Sequence, residues 1–193
     1  MGRSIRIGFA FTFLLVALGA SSPLLIDIFR PKAALPTLGQ VKHFSLTSSE
    51  GKNTNAQTLR GKVWVAHLFF ASCKGPCPVM TSHVGLLSKT FQKSSDVHFL
   101  SVTVDPETDT PEKLSAHAKT LSADLSRWHF LTGEIEEITR LAAEEFHFGT
   151  LEKPKLHSNR FVLIDREGNI RGYYHGTERS SVAKLAKDIR LLL

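Results

Sequence analysis

The apolar run over residues 63–70 constrains the fold of this chain more than any other sequence feature. It reads Val-Trp-Val-Ala-His-Leu-Phe-Phe and is rich in β-branched and aromatic residues. A strand with one solvent-exposed face alternates apolar and polar residues, whereas a strand that is apolar almost throughout is covered on both faces. The run therefore predicts a central strand of a sheet that has helices on both sides.

Strand and helix patterns alternate after this run. A helical spacing of apolar residues follows at Met80, Val84, Leu87 and Phe91. Further strands are predicted over 96–105, 128–131 and 160–165, and further helices from Pro111, over 134–146 and over 180–193. Glu167-Gly168-Asn169 turns the last of these strands into a hairpin with 170–174. This order predicts an α/β, thioredoxin-like fold, a central mixed β-sheet with helices on both faces.

The two cysteines of the chain lie in Cys73-Lys74-Gly75-Pro76-Cys77, between the predicted central strand and the next helix. A disulfide that closes so short a loop adds little stability, so chemistry at the sulfurs explains the pair better than a structural role. The unpaired N–H groups of a helix start favour thiolate, and Lys74 adds a cation. We therefore expect both sulfurs to be available near neutral pH, either to form a disulfide or to share a metal ion.

His157 is the histidine that the predicted fold brings closest to this pair. Two thiolates form an incomplete soft-metal site, which an imidazole can complete. His157 lies in the polar loop 155–159, directly before the strand 160–165. In thioredoxin-like folds that loop lies against the helix start, although a solvent-exposed loop histidine is the alternative. His67 belongs to the central strand and is expected to be a core residue.

Asp105 and Asp109 form a carboxylate-rich segment at the end of the strand 96–105. This end lies at the same sheet edge as the cysteines, where the two side chains could hold a loop near a metal or a partner protein. Helix capping and turn formation explain them equally well, because Asp and Thr commonly precede Pro in both roles. The sequence leaves these two interpretations open.

The N-terminal segment predicts an export signal or a membrane anchor. Arg3 and Arg6 precede two apolar stretches, 9–20 and 24–29, which together approach the roughly twenty residues of a membrane-spanning helix. The length and the basic flank favour an uncleaved transmembrane anchor over 1–29, and a cleaved signal peptide is the alternative. A linker over 30–40 then leads to a domain over 41–193. The net charge of +6 is scattered along the chain, which argues against nucleic-acid binding.

Three motifs that occur in order resemble those of the SCO/SenC family. They are Cys-x-x-x-Cys-Pro after a strand, Asp-x-x-x-Asp at Asp105 and Asp109, and His-Ser before a strand that ends in Asp-x-x-Gly. The resemblance implies a copper-binding domain, with Cys73, Cys77 and His157 holding Cu(I) or Cu(II). It also implies a role in assembling the copper centre of a cytochrome c oxidase subunit.

Further expectations concern partners and location. The resemblance implies a domain tethered to the inner membrane and facing the periplasm, or the equivalent intermembrane space. Its expected partners are the copper-bearing oxidase subunit, a thiol reductant that keeps the pair reduced, and other copper chaperones. One departure from the family pattern is Lys74, where the family usually has proline.

Three functions are compatible with these sequence features. The first is a metallochaperone, which is a binding protein and not an enzyme, and which needs all three ligands. The second is a thiol-disulfide oxidoreductase that reduces cysteines of a partner protein and needs Cys73 and Cys77 but not His157. A peroxidase of the peroxiredoxin type is disfavoured, because that chemistry needs one activated cysteine in a dedicated pocket.

Overall fold

The structure, a computed structural model, describes residues 35–149 and 158–193. The strands are β1 (Gly39–Gln40), β2 (Ser45–Ser48), β3 (Asn53–Asn55), β4 (Val63–Phe69), β5 (Val97–Thr103), β6 (Trp128–Thr132), β7 (Arg160–Ile164) and β8 (Asn169–His175). The α-helices are α1 (Cys77–Thr90), α2 (Pro111–Thr120), α3 (Ile135–Arg140) and α4 (Arg179–Leu192), and a π-helical turn, Leu141–Glu145, extends α3.

Strand β4 lies at the centre of the sheet, as its apolar sequence predicts. All seven of its residues are buried. Val63, Val65 and Phe69 pack into one hydrophobic cluster, and Trp64 and Ala66 pack into another on the opposite face. Both faces of β4 are therefore covered, because successive side chains of a strand point to opposite sides.

The sheet is mixed, and its strand order is β1-β8-β7-β4-β5-β6-β2-β3. Strand β4 pairs in parallel with β5 and antiparallel with β7, and β7 pairs antiparallel with β8. A β4-α1-β5 crossover followed by the hairpin β7-β8 and helix α4 is the connectivity of the thioredoxin-like plan. The predicted mixed α/β architecture is confirmed.

Helices cover both faces of this sheet. Apolar residues of α1, α2 and α4 join the first cluster, among them Met80, Leu114 and Leu185. The segment formed by α3 and its π-helical extension contributes Ile138 and Leu141 to the second cluster. The helices that follow β4 and β5 therefore share one face, and this face carries the start of α1.

Local signals in the sequence locate most element boundaries. Thr110 caps α2, its hydroxyl accepting a hydrogen bond from the Lys113 N–H, and Pro111 occupies the first turn. Gly168 has a φ of 84° in the turn between β7 and β8, a conformation that glycine adopts without strain. The sequence did not predict β1, β2 and β3, because these strands have only 2 to 4 residues and are largely polar.

The predicted membrane segment over 1–29 lies outside the described residues. Among residues 35–149 and 158–193, none of the helices combines the length and the apolar character that crossing a membrane requires.

Candidate dithiol site

Cys73 and Cys77 lie on either side of the corner between β4 and α1. Cys73 follows the strand, and its N–H donates to the Phe70 carbonyl over 3.1 Å. Cys77 is the first residue of α1, directly after Pro76. Both cysteines are free thiols and are partly buried. The strand and the helix therefore bring the two sulfurs to one edge of the sheet, as their position in the sequence predicts.

The two thiols differ in acidity. Burial raises the pKa of Cys73, but hydrogen bonds donated by the Cys77 thiol and by the backbone N–H groups of Gly75 and Cys77 outweigh burial and lower it. Burial raises the pKa of Cys77 to about 11, helped by its hydrogen bond to Cys73 and by the charge of the Cys73 thiolate. The expectation that both thiols ionise near neutral pH is therefore wrong for Cys77. Hydrogen bonds from Cys77 and from the backbone N–H of Gly75 favour the Cys73 thiolate.

Two small clefts open beside the sulfurs. The first has a volume of about 220 Å³ and is lined by Phe70, Cys73, Cys77, Met80 and Ser158, among others. The second, of about 150 Å³, lies between the pair and helix α2. The cysteines therefore face cavities that admit a metal ion or one side chain, but not a large organic substrate.

The carboxylate of Asp109 supports the loop that leads to Cys73. It is 2% exposed and accepts hydrogen bonds from the Ala71 N–H over 2.9 Å and from the Thr103 hydroxyl over 2.6 Å. Asp105 lies in the turn before α2, where its carbonyl accepts from the N–H groups of Thr108 and Asp109. Asp109 thus joins the end of β5 to the cysteine loop, whereas the hydrogen bonds of Asp105 belong to a turn.

His117 is a further residue at this site, beyond those predicted from the sequence. It lines the second cleft together with Cys73 and Cys77. Its ring stacks on Phe69 at 5.8 Å and meets Phe130 edge-on at 6.0 Å. The position of His117 beside Leu114 and Ala118 on the buried face of α2 is the sequence signal that indicates its inward orientation.

His157 lies outside the described residues, so the structure brings together two of the three predicted metal ligands. Within residues 35–149 and 158–193, His, Cys, Asp and Glu side chains form no group of three or more that could hold a metal ion. His67 is 1% exposed, and its Nε2 lies 2.8 Å from the Ser101 hydroxyl. It is a core residue, as predicted.

This fold and this site define a class of protein, a thioredoxin-like domain that carries a dithiol at the strand-to-helix corner. A sequence profile of the SCO1/SenC family matches residues 34–193. The chain belongs to the SCO1/SenC family. The SCO1 protein homolog of Bacillus subtilis is 31% identical over 158 residues, which are 78% of this chain and 81% of that protein.

Solved structures agree with this assignment. A SCO1/SenC family lipoprotein from Bacillus anthracis matches with a TM-score of 0.74 and 32% identity, covering 83% of this chain and 99% of that one. BsSco, described as a member of the Sco family of cytochrome c oxidase assembly proteins with a disulfide switch, matches with a TM-score of 0.71 and 29% identity, covering 82% and 97%. The copper-bound ScoI of Bradyrhizobium japonicum has a TM-score of 0.64 at 20% identity, over 80% and 99% of the two chains, and shows the shared fold alone.

Proposed function

We propose that this protein is a copper metallochaperone that binds copper through Cys73, Cys77 and His157 and assists assembly of the copper centre of cytochrome c oxidase. One observation carries the proposal. Two free thiols of a SCO1/SenC family chain share a cleft and a hydrogen bond. Thiolates are soft ligands that suit Cu(I), and an added imidazole also suits Cu(II).

The position of Ser158 supports His157 as the third ligand. Ser158 directly follows His157 in the sequence, and it lines the 220 Å³ cleft that contains both cysteines. Consecutive Cα atoms are about 3.8 Å apart, so the chain arrives at this cleft immediately after position 157. Asp109 has a supporting role in this proposal, because it fixes the loop before Cys73.

The family relatives support the partner and the location. BsSco is described as an assembly protein of cytochrome c oxidase, and the copper-bearing subunit of an oxidase is the partner that we infer for this chain. The Bacillus anthracis relative is described as a lipoprotein, which agrees with an exported, membrane-tethered domain. We infer that residues 1–29 anchor the chain, that 30–40 form a linker, and that 41–193 work on the periplasmic side.

A thiol-disulfide oxidoreductase is the second candidate function, and the unequal thiols favour it. The lowered pKa of Cys73 marks an attacking nucleophile, and the raised pKa of Cys77 marks a resolving thiol. The disulfide switch described for BsSco fits the same chemistry. Both functions need a thiol reductant: an oxidised pair cannot bind copper, and a dithiol that has reduced a partner's disulfide is itself left as a disulfide.

Copper stoichiometry distinguishes the two functions. The reduced protein is titrated with Cu(I) and with Cu(II), alongside Cys77→Ser, His157→Ala and, as a control, His175→Ala, whose side chain is exposed. We expect one copper per chain to produce a thiolate-to-copper charge-transfer band, which is lost in Cys77→Ser, altered in His157→Ala and unchanged in the control. A band that does not change in His157→Ala rejects the three-ligand site, and absence of the band leaves the oxidoreductase.

A further inference from the structure

His98 and His129 form a histidine pair at the end of the sheet opposite the cysteines. They are the second residues of β5 and β6, which run parallel to each other, and β5 also runs parallel to β4. Cys73 follows the last residue of β4, so the dithiol and the histidine pair lie at opposite ends of the parallel strands. Leu100 is the register partner of His129, so His98, two residues earlier, faces the same side.

The hydrogen bonds of the histidine pair determine which ring nitrogens carry a proton. His98 Nδ1 lies 3.0 Å from His129 Nε2, and His98 Nε2 lies 3.1 Å from the Ser95 carbonyl oxygen. A carbonyl can only accept, so in the neutral ring His98 Nε2 carries the proton and Nδ1 has a free lone pair. His129 Nε2–H therefore donates to His98 Nδ1. One proton therefore lies between the two nitrogens. The planes of the two rings are nearly parallel, inclined to each other by only 7°.

We propose that His98 Nδ1 and His129 Nε2 form a second metal site, for borderline divalent ions such as Cu²⁺ or Zn²⁺, distinct in place and in chemistry from the dithiol. Bonds of about 2.0–2.1 Å from imidazole nitrogen to the ion place two adjacent ligands roughly 3 Å apart. The observed separation of 3.0 Å meets this condition. The two nitrogens face each other directly in the hydrogen-bonded pair, since the ring centroids are 5.3 Å apart and the ring planes are nearly parallel. Each ring therefore has to turn by roughly 45° before both lone pairs are directed to one ion with bonds of this length.

Metal binding at this pair requires no net loss of protons. The proton on His129 Nε2 moves to Nδ1 of the same ring, which leaves Nε2 free for the metal while the ring stays neutral. His98 already holds its other N–H against the Ser95 carbonyl, the arrangement that orients many metal-binding histidines. Burial lowers the pKa of His98 to about 4 and lowers that of His129, so both rings are neutral, the form that binds metal, at pH 7.

The surroundings admit a hydrated cation. The pair lines a cleft of about 250 Å³ together with Ser48, Glu50 and Asn53, which leaves room for water ligands. The neighbouring cations are each paired with a carboxylate: Lys52 with Glu50, Lys62 with Asp96 and Arg127 with Asp124. These pairs reduce the repulsion of a divalent ion without removing it, because the charges of Lys62 and Arg127 still help to lower the pKa of His98. Asp96 is shared between Lys62 and Arg166.

This proposal predicts that the protein still binds Cu²⁺ after both thiols are removed. The full chain carrying Cys73→Ser and Cys77→Ser is titrated with Cu²⁺ and followed by electron paramagnetic resonance. We expect one Cu²⁺ per chain with hyperfine coupling to two imidazole nitrogens. His98→Gln and His129→Gln, each added to this background, should weaken binding at least tenfold, and His175→Gln should leave it unchanged.

Two results would overturn the proposal. One is Cu²⁺ binding that is insensitive to both glutamine substitutions but lost in His157→Ala, because the ion would then sit at the proposed copper site. The other is a spectrum of the cysteine-free protein that shows fewer than two nitrogen ligands on the copper ion. This measurement uses no histidine substitution, so it does not depend on whether the histidine variants fold. Neither result bears on copper binding by Cys73 and Cys77, which is measured in the unsubstituted chain.

Discussion

At the scale of single residues, the hydrogen bond between the two thiols gives Cys73 and Cys77 different chemistry. We expect iodoacetamide to modify Cys73 first, and at a pH below the ordinary thiol pKa near 8.5, because hydrogen bonds stabilise its thiolate. Cys77 should react only in more alkaline solution, since its pKa is raised to about 11. Peptide mass spectrometry over a pH series measures both rates.

The Cys73→Ser variant is the control for this prediction. It removes the thiolate whose charge and hydrogen bond raise the pKa of Cys77, so Cys77 in this variant should react at a lower pH than in the parent protein. Faster modification of Cys77 than of Cys73 in the parent would contradict the assignment of the nucleophile.

His67 makes stability depend on pH. Burial lowers its pKa from 6.5 to about 4, so between these values the unfolded chain binds a proton that the folded chain does not. Stability therefore falls as the pH decreases through this window, by about 3 kcal/mol in total. Denaturant unfolding at pH 7 and at pH 4 should show this loss in the parent and a smaller loss in His67→Gln. Equal losses in the two proteins would rule out His67 as the source.

The sequence predicted residue positions better than residue acidity. The place of Cys73 and Cys77 follows from an apolar strand and a proline-containing helix start, both of which are local patterns. Their unequal pKa values could not be predicted, because they depend on which thiol donates to the other and on how deeply each is buried. The spacing of His117 to Leu114 and Ala118 indicates its inward orientation, but its contact with Phe69 joins residues far apart in the sequence and could not be predicted.

At the scale of elements, Asp109 connects the end of β5 with the loop between β4 and α1. Asp109→Ala leaves the partly buried N–H of Ala71 and the buried hydroxyl of Thr103 without their acceptor, which should cost about 1–3 kcal/mol of unfolding free energy. Asp109→Asn keeps a carbonyl oxygen at the same place and should lose less. Denaturant unfolding of both variants measures the two losses.

Asp105→Ala is the matched control for the Asp109 substitutions. The turn hydrogen bonds of Asp105 use its backbone carbonyl and N–H, which the substitution preserves, so we expect a loss smaller than that of Asp109→Ala. Copper affinity should follow the same order, because only Asp109 fixes the loop before Cys73. Equal losses in the two alanine variants would mean that the segment acts only as a turn.

The short strands at the sheet edge could not be predicted from side-chain patterns. Strands β2 and β3 pair with each other, and β2 also pairs with β6, although they contain segments as polar as Asn53-Thr54-Asn55. Backbone hydrogen bonds to an existing sheet edge order such segments, and a side-chain pattern does not reveal this pairing. The central strands were predictable because burial on both faces determines their composition.

At the scale of the whole molecule, the proposed copper ligands belong to both halves of the fold. Cys73 and Cys77 come from the β4-α1-β5 half, whereas His157 precedes β7 and the C-terminal half. A ligand that binds only the folded state stabilises it by RT ln(1 + [L]/Kd), about 2.7 kcal/mol at a hundredfold excess over Kd. We therefore expect Cu(I) to raise the midpoint of thermal unfolding of the reduced protein, and a chelator to reverse the rise.

The stability gain should depend on all three ligands and on the redox state of the thiols. Cys77→Ser and the oxidised protein should show little or no rise with copper, because neither offers two thiolates to the ion. The disulfide itself closes a short loop and adds little stability, so oxidation cannot imitate the effect of copper. In His157→Ala the two thiolates can still hold Cu(I), so we expect part of the rise in the unfolding midpoint to remain. The part that is lost is the contribution of the bond from His157 to copper, which connects the two halves of the fold. A full rise in His157→Ala would show that copper is held within the first half of the fold.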